Sequence, residues 1–262
     1  MRRVLILSVC SLSFLLIFAC NDSTGPSVGL PDGMEFVSIS SGSFQMGAPE
    51  GEAGSNGDER PVHTVTFEYS FQIMTTEVTQ GMWEELMGSN PAVDNGVGSD
   101  YPVYNVSWQD CQEFVAGMNQ LDPEYAYRLP TEAEWEYCCR GTSFTRYYWG
   151  DDLQGLLILN SAWFEYNSGT ETHPVAQKNS NSWGLYDMSG NVYEWCQDCS
   201  HFNYQGAPSD GSAWENPAAS DRVIRGGSWD TEPEGCRSAF RDPSDPDSGR
   251  STVGLRLVRT KR

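Results

Sequence analysis

The chain has 262 residues, of which 36 are acidic and 16 basic, and its formal charge at pH 7 is −20. Binding the phosphates of DNA or RNA requires a basic surface, so this charge argues against a nucleic-acid partner. Acidic side chains suit a solvated surface, and they also supply the oxygen ligands that calcium prefers.

Residues 1–20 have the pattern of a secretory signal. Arg2 and Arg3 precede an apolar run from Val4 to Ala19, which is short for a membrane-spanning helix of about 20 residues. The residues before Cys20 fit a bacterial lipobox, so we expect Cys20 to be lipidated and to anchor the mature chain on a membrane. An uncleaved anchor and a signal that is cut elsewhere are the alternatives.

A polar segment, 21–33, follows the signal and predicts a flexible tether. The remaining chain, 34–262, is long enough for one domain with a substantial core. Asn21 rather than an aspartate follows Cys20, so the usual inner-membrane retention signal is not evident. We therefore expect the protein in the cell envelope, at the outer membrane or the cell surface.

The first elements of the domain are predicted strands. Apolar and polar residues alternate from Met34 to Met46 across Gly42, which predicts two short strands or a hairpin. The same alternation predicts strand structure from Val62 to Val78. The acidic, glycine-rich segment from Glu50 to Glu59 predicts a surface loop between them.

Three helices are predicted from capping residues and apolar spacing. Thr79 is expected to cap the first helix and Ser107 the second. Thr131 is expected to cap the third, because Glu134 completes a capping box and Gly141 marks the end of the helix.

The second half of the chain, beyond residue 141, is rich in Gly, Asn, Ser and Asp. Its strand candidates are short: Val223 to Ile224, Arg237 to Arg241 and Thr252 to Val258. Helices followed by sparse strands favour an α+β domain with irregular loops over alternating βαβ units. Long loops in a compact domain need disulfides, metals or a function to stay ordered.

Six cysteines lie in the predicted domain: Cys111, Cys138, Cys139, Cys196, Cys199 and Cys236. In an exported domain they allow up to three disulfides in 15 pairings, and the sequence does not choose among these. Cys196 and Cys199 form a CxxC. That spacing suits a soft metal or a redox disulfide, but equally a structural disulfide or packed thiols.

Eight segments in register over about 220 residues resemble the formylglycine-generating, sulfatase-modifying factor family. They are GSFQMG (42–47), TTEVT (75–79), PVYNVSWQD (102–110), YRLPTEAEWEY (127–137), GLYDMSGNVYEW (184–195), RGGSW (225–229), CRSAFR (236–241) and VGLRLV (253–258). The resemblance implies the family's variant of the C-type-lectin-like fold. We expect a loop-rich α+β domain with short strands and about three helices.

The resemblance also implies a chemistry, for which this chain lacks the ligands. Active members oxidise a peptidyl cysteine to formylglycine with oxygen and copper(I), which two soft thiolates hold just after a Gly-Gly-Ser turn. Gly226, Gly227 and Ser228 match that turn, but residues 229–235 contain no cysteine. Cys236 belongs to the next motif. We therefore assign no catalytic residue, do not expect copper, and interpret the turn as scaffold.

Calcium is the cofactor that the resemblance favours. The side chains of Asp187 and Glu194 and the carbonyls of Gly190 and Val192 match a family calcium site, and such mixed oxygen ligands suit the ion. The alternative is a turn held only by the side-chain hydrogen bonds of Asp187 and Asn191.

Two functions remain open from the sequence. The first is a membrane-tethered, non-oxidising member that binds an exported protein or a glycan with its variable loops. The alternative is a divergent formylglycine-generating-type oxidase that modifies exported proteins, which would need Cys236 together with a second thiol.

Overall fold

The computed structural model describes residues 29–215 and 221–262. The predicted signal, the lipidation site at Cys20 and most of the predicted tether lie outside the described residues. Within the described ranges, no helix has both the length and the apolar character needed to cross a membrane.

Ten strands and four α-helices make up the described fold, together with two 3-10 turns at Gly57–Glu59 and Pro233–Cys236. The strands are β1 (Phe36–Ile39), β2 (Gly42–Met46), β3 (His63–Phe67), β4 (Phe71–Met74), β5 (Tyr125–Arg128), β6 (Tyr193–Cys199), β7 (Arg222–Arg225), β8 (Arg241–Ser244), β9 (Val253–Gly254) and β10 (Val258–Lys261). The helices are α1 (Gln80–Met87), α2 (Trp108–Leu121), α3 (Glu132–Arg140) and α4 (Ile158–Ser161). The α+β prediction is confirmed.

The strands form three small sheets. One has the order β1-β4-β10-β5 and is antiparallel, a second pairs β2 with β3, and the third has the order β8-β7-β6-β9. In the third sheet, β9 runs parallel to β6 and the other neighbours are antiparallel. Helix α3 contacts β2, β6 and β7, so it joins the second sheet to the third.

The hairpin alternative for Met34 to Met46 is wrong, although both strands form. β1 pairs with β4, whereas β2 pairs with β3, so the two neighbours in sequence enter different sheets. The predicted strand from Val62 to Val78 is two strands and ends at Met74. Alternation identifies a strand but not its partner, which is set by distant segments.

The strand predicted from Arg237 to Arg241 is also wrong. The amide of Phe240 donates to the carbonyl of Arg237 at 3.1 Å, which makes a turn there, and β8 begins only at Arg241. The predicted strand from Thr252 to Val258 divides into β9 and β10. Of the three strands predicted beyond residue 141, one lies where it was predicted: Val223 to Ile224, within β7.

The three predicted helices begin and end close to the expected residues. The hydroxyls of Thr79, Ser107 and Thr131 each accept a hydrogen bond from the backbone amide three residues on, which caps α1, α2 and α3. Gly141 follows the last residue of α3, as predicted. The short α4 carries no side-chain cap and was not predicted.

Replacing Ser107 by alanine is expected to lower the free energy of unfolding by about 1 kcal/mol. The serine hydroxyl accepts from the amide of Asp110 at 3.1 Å, and the Asp110 carboxylate accepts from the amide of Ser107 at 2.8 Å. Urea unfolding followed by far-UV circular dichroism measures the change. Ser40→Ala, at an exposed position, serves as the control and should change stability by less than about 0.5 kcal/mol.

The apolar core has two main parts, which meet near α3 and β6. One part surrounds α1 and α2, where the rings of Trp83 and Phe114 stack with centroids 5.0 Å apart. The other part surrounds α3 and centres on Trp135, which is fully buried. Trp195 on β6 belongs to the first part and donates its indole N–H to the carbonyl of Val106 at 3.0 Å.

Buried ion pairs hold α3 to distant segments. Its three buried glutamates each pair with an arginine: Glu132 with Arg241 at 2.7 Å, Glu134 with Arg128 at 2.5 Å, and Glu136 with Arg225 at 2.5 Å. A buried pair contributes little net energy, but breaking one is costly because a buried charge is left alone. The pairs with Arg225 and Arg241 therefore fix the position of the loop-rich second half against the helix, and the pair with Arg128 holds the helix to β5.

Candidate functional site

The Gly-Gly-Ser turn directly follows β7 and lies against α3. Gly226 and Gly227 have φ angles of 101° and 77°, which favour glycine. A Cβ on Gly226 would lie 3.1 Å from Cζ2 of Trp135, and one on Gly227 would lie 3.0 Å from the carbonyl oxygen of Gly235. Both glycines are therefore required by backbone conformation and close packing.

A cluster of hydroxyl groups occupies the region just after this turn. The Ser228 amide donates to Oγ1 of Thr231 at 3.0 Å, and the two side-chain hydroxyls lie 2.8 Å apart. Oγ1 of Thr231 also lies 3.3 Å from the hydroxyl of Tyr193. Hydroxyl groups are poor ligands for copper(I), so this region lacks the donor set that the oxidase chemistry requires.

Cys236 lies next to the turn, with its sulfur 3.3 Å from the place that a Cβ on Gly227 would occupy. Cys139 is a titratable neighbour of Cys236, and both cysteines are fully buried. Burial raises the pKa of Cys236 to about 12 and that of Cys139 to about 11. Without a metal, both are therefore protonated at neutral pH.

All six cysteines of the domain are buried free thiols in the described structure. The CxxC does not close on itself: the sulfur of Cys196 lies 4.0 Å from the carbonyl of Glu194, and that of Cys199 lies 3.8 Å from the carbonyl of Glu215. Burial also raises the pKa of Cys196 well above its usual range. The packed-thiol interpretation of this pair fits these contacts.

The structure brings Asp187 and Glu194 into one buried cluster but engages them differently. Both carboxylate oxygens of Glu194 accept from Arg256, at 2.8 to 3.1 Å, and one also accepts from the indole of Trp135 at 2.8 Å. Asp187 accepts from the amide of Ala176 through Oδ2 at 2.7 Å, and its Oδ1 has no hydrogen-bond partner.

The two side chains of the predicted calcium site therefore differ in what they already bind. Asp187 offers a free oxygen, but the charge of Glu194 is already neutralised by Arg256. The amide of Gly190 donates to the carbonyl of Gly226 at 2.8 Å, which ties Gly190 to the Gly-Gly-Ser turn. Across the part of the chain that the structure describes, no three His, Cys, Asp or Glu side chains are grouped closely enough to hold a metal ion.

Glu77 is a buried acid that the sequence analysis did not single out. It is fully buried after the end of β4, and neither carboxylate oxygen has a hydrogen-bond partner among the described residues. Burial, reinforced by the nearby charge of Asp187, raises the pKa of Glu77 well above its usual range. Burial also raises the pKa of Asp187 to about 6. The signal available in the sequence was an acidic residue directly before Val78, at the end of the segment that carries the strand-like alternation.

A second buried acid, Asp198, is expected to make stability depend on pH. Burial, together with the charge of Glu132, raises the pKa of Asp198 to about 7, against about 3.9 in an unfolded chain. The folded state thus holds a proton that the unfolded state releases, so this contribution is present below about pH 4 and is lost as pH rises through 7.

Urea unfolding between pH 5 and 8, in a chelator, should accordingly show a falling free energy of unfolding, by at most about 1.4 kcal/mol per pH unit from this group. Asp198→Asn should show a shallower decline, whereas Asp247→Asn, at an exposed position, should follow the wild type. Equal slopes for wild type and Asp198→Asn would show that Asp198 titrates normally.

The largest cavity that we describe, of about 650 Å³, lies between the loop around Glu50 to Glu59 and the segment that contains Asn203. It is bounded by residues 48–50, 57 and 60–62 on one side and by Asn203 on the other. Arg237, fully buried, donates to the carboxylates of Glu52 and Glu59 at 2.8 and 2.7 Å. The first loop is therefore held in place by ion pairs to the core, and one wall of the cavity is preorganised.

Comparison with known proteins identifies relatives over most of the chain. The profile of the family described as "Sulfatase-modifying factor enzyme 1-like domain" matches residues 27–261. The solved structure of PvdO from Pseudomonas aeruginosa is similar, with a TM-score of 0.79 and 33% identity, over 86% of this chain and 94% of PvdO. The fold is therefore shared with PvdO nearly throughout.

Curated relatives carry several different names. A Bos taurus formylglycine-generating enzyme is 33% identical over 67% of this chain, and a Paenibacillus barcinonensis protein named "Chaperone protein LppX" is 29% identical over 73%. A Chlamydia caviae protein named "Serine/threonine-protein kinase pkn1" is 30% identical over 86%. The chain spans 38% of the kinase's length, 50% of the enzyme's and 80% of the chaperone's.

Proposed function

This chain belongs to the sulfatase-modifying factor family, and we propose that it is a non-oxidising member that binds a partner at the cell envelope. The observation that carries the proposal is the hydroxyl cluster of Ser228, Thr231 and Tyr193, which lies where the oxidase chemistry needs two thiolates. A family scaffold without its metal ligands retains shape and loops, and these support binding rather than catalysis.

The cavity beside Asn203 supports a binding role. Its volume of about 650 Å³ is in the range of small-ligand pockets, and its walls come from loops rather than from the sheets. Phe202 directly precedes Asn203, which lines the cavity, and the side chain of Phe202 is almost fully exposed. An exposed aromatic ring near a largely apolar cavity suits an exported protein or a glycan as partner.

The envelope location rests on the sequence of the first 33 residues. The signal pattern, the lipobox at Cys20 and the polar tether support a lipid-anchored protein at the outer membrane or the cell surface. The excess of acidic residues disfavours nucleic acid as the partner. The naming of one relative as a chaperone is consistent with a partner that is an exported protein.

A divergent oxidase is the alternative, and it would use Cys236 with a second thiol. Cys139 is a buried neighbour of Cys236, and burial raises the pKa of both thiols, which disfavours a reactive thiolate at neutral pH in the metal-free chain. The contacts of the site therefore favour the non-oxidising function.

The experiment that separates the two functions is a peptide oxidation assay. The chain from Asn21 onward is incubated with copper(I), oxygen, a reductant and a peptide containing Cys-x-Pro-x-Arg, and mass spectrometry detects the aldehyde. We expect no conversion above a metal-free control, while an active formylglycine-generating enzyme converts the same peptide in parallel. Conversion that is lost in Cys236→Ser would instead establish the oxidase.

A further inference from the structure

We propose that the open edge of β1 binds an extended segment of an exported polypeptide, which pairs with it as an added strand. The proposal rests on the partner-binding function above and assigns the partner to a polypeptide rather than a glycan. The site comprises β1 and the side chains of Tyr137 and Trp183, and it shares no lining residue with the cavity beside Asn203.

The first observation is which backbone groups of β1 bond to β4. The amide of Thr75, just after β4, donates to the carbonyl of Glu35, just before β1, at 3.0 Å. Hydrogen-bonded and non-hydrogen-bonded residue pairs alternate along an antiparallel ladder. The bonds from β1 to β4 therefore come from every second residue after Glu35, which are Val37 and Ile39.

The backbone groups of Phe36 and Ser38 point the other way, toward the open edge. Phe36 lies opposite Met74, whose amide donates to the carbonyl of Leu257 at 2.9 Å and not to β1. Among the described strands, β1 has a neighbour on one side only. Free N–H and C=O groups on alternate residues of a strand, about 7 Å apart, are the pattern that another strand matches.

Other sheet edges are covered, unlike that of β1. On the far side of the same sheet, the Asn119 side chain of α2 bonds the amide and the carbonyl of Tyr127 on β5, each at 2.9 Å. The amide of Thr66 on β3 donates to the carbonyl of Ser209 at 2.9 Å, and β8 contains Pro243, which has no N–H. The sequence of β1, FVSI, has neither a proline nor a charge, which are the usual protections of an edge.

The second observation is a pocket along this edge. A cavity of about 240 Å³ is lined by Tyr137, Trp183 and the four consecutive residues from Val37 to Ser40. Successive side chains of a strand point to opposite faces, so a cavity that touches four residues in a row lies along the edge of the strand. Its volume is below that of small-ligand pockets, about 300–1,000 Å³, and suits side chains of an added strand.

The lining of the pocket selects the side chain that enters it. The rings of Tyr137 and Trp183 meet edge to face with centroids 4.9 Å apart, and no lining residue is charged. An apolar side chain of the added strand therefore fits beside them. The chain carries a charge of −20, and Glu35 is exposed just before β1, so an acidic segment is disfavoured. The partner is thus a neutral or basic segment with alternating apolar residues.

β1 is preorganised for this role. The ring of Phe36 lies 3.9 Å from the guanidinium carbon of Arg259 and meets Tyr127 edge to face, with centroids 6.0 Å apart. At the other end of the strand, Ile39 is buried. Because both ends are fixed on the sheet, the loss of conformational freedom on binding is confined to the incoming segment. In such strand addition, main-chain bonds supply affinity and side-chain pockets supply specificity.

Fluorescence anisotropy of the full-length chain in detergent tests the site with a labelled decapeptide of alternating valine and threonine between terminal lysines. We expect saturable binding of one peptide per chain. Each main-chain hydrogen bond contributes about fivefold in affinity, so the same peptide with its four central amides N-methylated should bind at least about tenfold more weakly. A peptide with glutamates in place of the lysines should also bind more weakly.

Variants of β1 and the pocket provide matched controls. Ser38→Pro removes the N–H that points to the open edge and breaks no bond to β4, so it should leave the far-UV circular dichroism unchanged. It should weaken peptide binding by at least about tenfold. Ser38→Ala keeps the N–H and should bind as the wild type does. Trp183→Ala, which removes one wall of the pocket, should also weaken binding by about tenfold or more.

Hydrogen–deuterium exchange locates the added strand. The peptide should slow exchange of the amides of Phe36 and Ser38 more than that of Val37 and Ile39, which already bond to β4. Equal binding by the wild type and Ser38→Pro would place the peptide elsewhere, which would overturn this site but leave the partner-binding function standing.

Two further results would overturn the site. One is absence of peptide binding by the wild type, whether or not a glycan binds. The other is self-association of the chain that Ser38→Pro abolishes, since the edge would then be an interface between two copies. The proposed function itself fails on a different result, the formation of formylglycine in the oxidation assay.

Discussion

Replacing Arg225 by methionine is expected to lower the free energy of unfolding by about 3–5 kcal/mol, because it removes the cation bound to Oε2 of the buried Glu136. Arg225 is fully buried on β7 and binds Glu136 at 2.5 Å, and its Nε lies 3.8 Å from Glu132. It also donates to the carbonyl of Ala239 at 2.7 Å, so the segment before β8 would lose a contact as well.

Urea unfolding at pH 7 measures this effect, with Arg250→Met as the matched control at an exposed position. The control should change stability by less than about 0.5 kcal/mol. The double variant Arg225→Met/Glu136→Gln should lose less than the sum of the two single losses, since the two side chains are in direct contact. A loss of under about 1 kcal/mol in Arg225→Met would mean that Arg140, 2.8 Å from Glu136, neutralises that carboxylate alone.

The helices could be predicted from sequence because their signals are local. Ser107 and Thr131 each bond to a residue three positions along the chain, so a capping box can be recognised without knowledge of the rest of the fold. The strands are different, since the partner of β1 is β4 rather than β2, and no local feature encodes that choice. Most of the strands are two to five residues long, so the alternation of apolar and polar residues is too short to show where each strand begins and ends.

The candidate site could be predicted only in part, for a similar reason. The Gly226 to Ser228 turn and the absence of cysteine after it are both visible in sequence. The partner of Glu194 is not, because Arg256 lies 62 residues away and pairs with it only in the folded chain. Apolar periodicity also ignores charged residues inside a core, so Glu77 received no role.

A predicted ligand set is therefore tested best by asking what else its members bind. The motif around Glu194 matches a calcium site in residue types, yet both oxygens of this glutamate are already committed to Arg256 and Trp135. A carboxylate paired with a buried guanidinium stabilises the fold, whereas an unpaired one beside it can accept a cation. Glu194 is paired with Arg256, whereas neither carboxylate oxygen of Glu77 has a hydrogen-bond partner among the described residues.

Replacing Glu194 by glutamine is expected to destabilise the fold by about 3–5 kcal/mol, and by the same amount with and without calcium. The substitution keeps the shape and retains an acceptor for the Trp135 indole, but it removes the carboxylate that binds the fully buried guanidinium of Arg256 directly. Arg256 joins β4 to the loop before β6 through the carbonyls of Met74 and Tyr186, so its misplacement would affect both core parts.

The measurement is urea unfolding of wild type, Glu194→Gln, Arg256→Met and the double variant, each in chelator and in excess calcium. A strong ion pair predicts that the double variant loses much less than the sum of the two single losses. If Glu194 were instead a calcium ligand, its loss would be larger in calcium than in chelator, because only the wild type would gain binding energy. Equal losses in the two buffers therefore assign Glu194 to the fold.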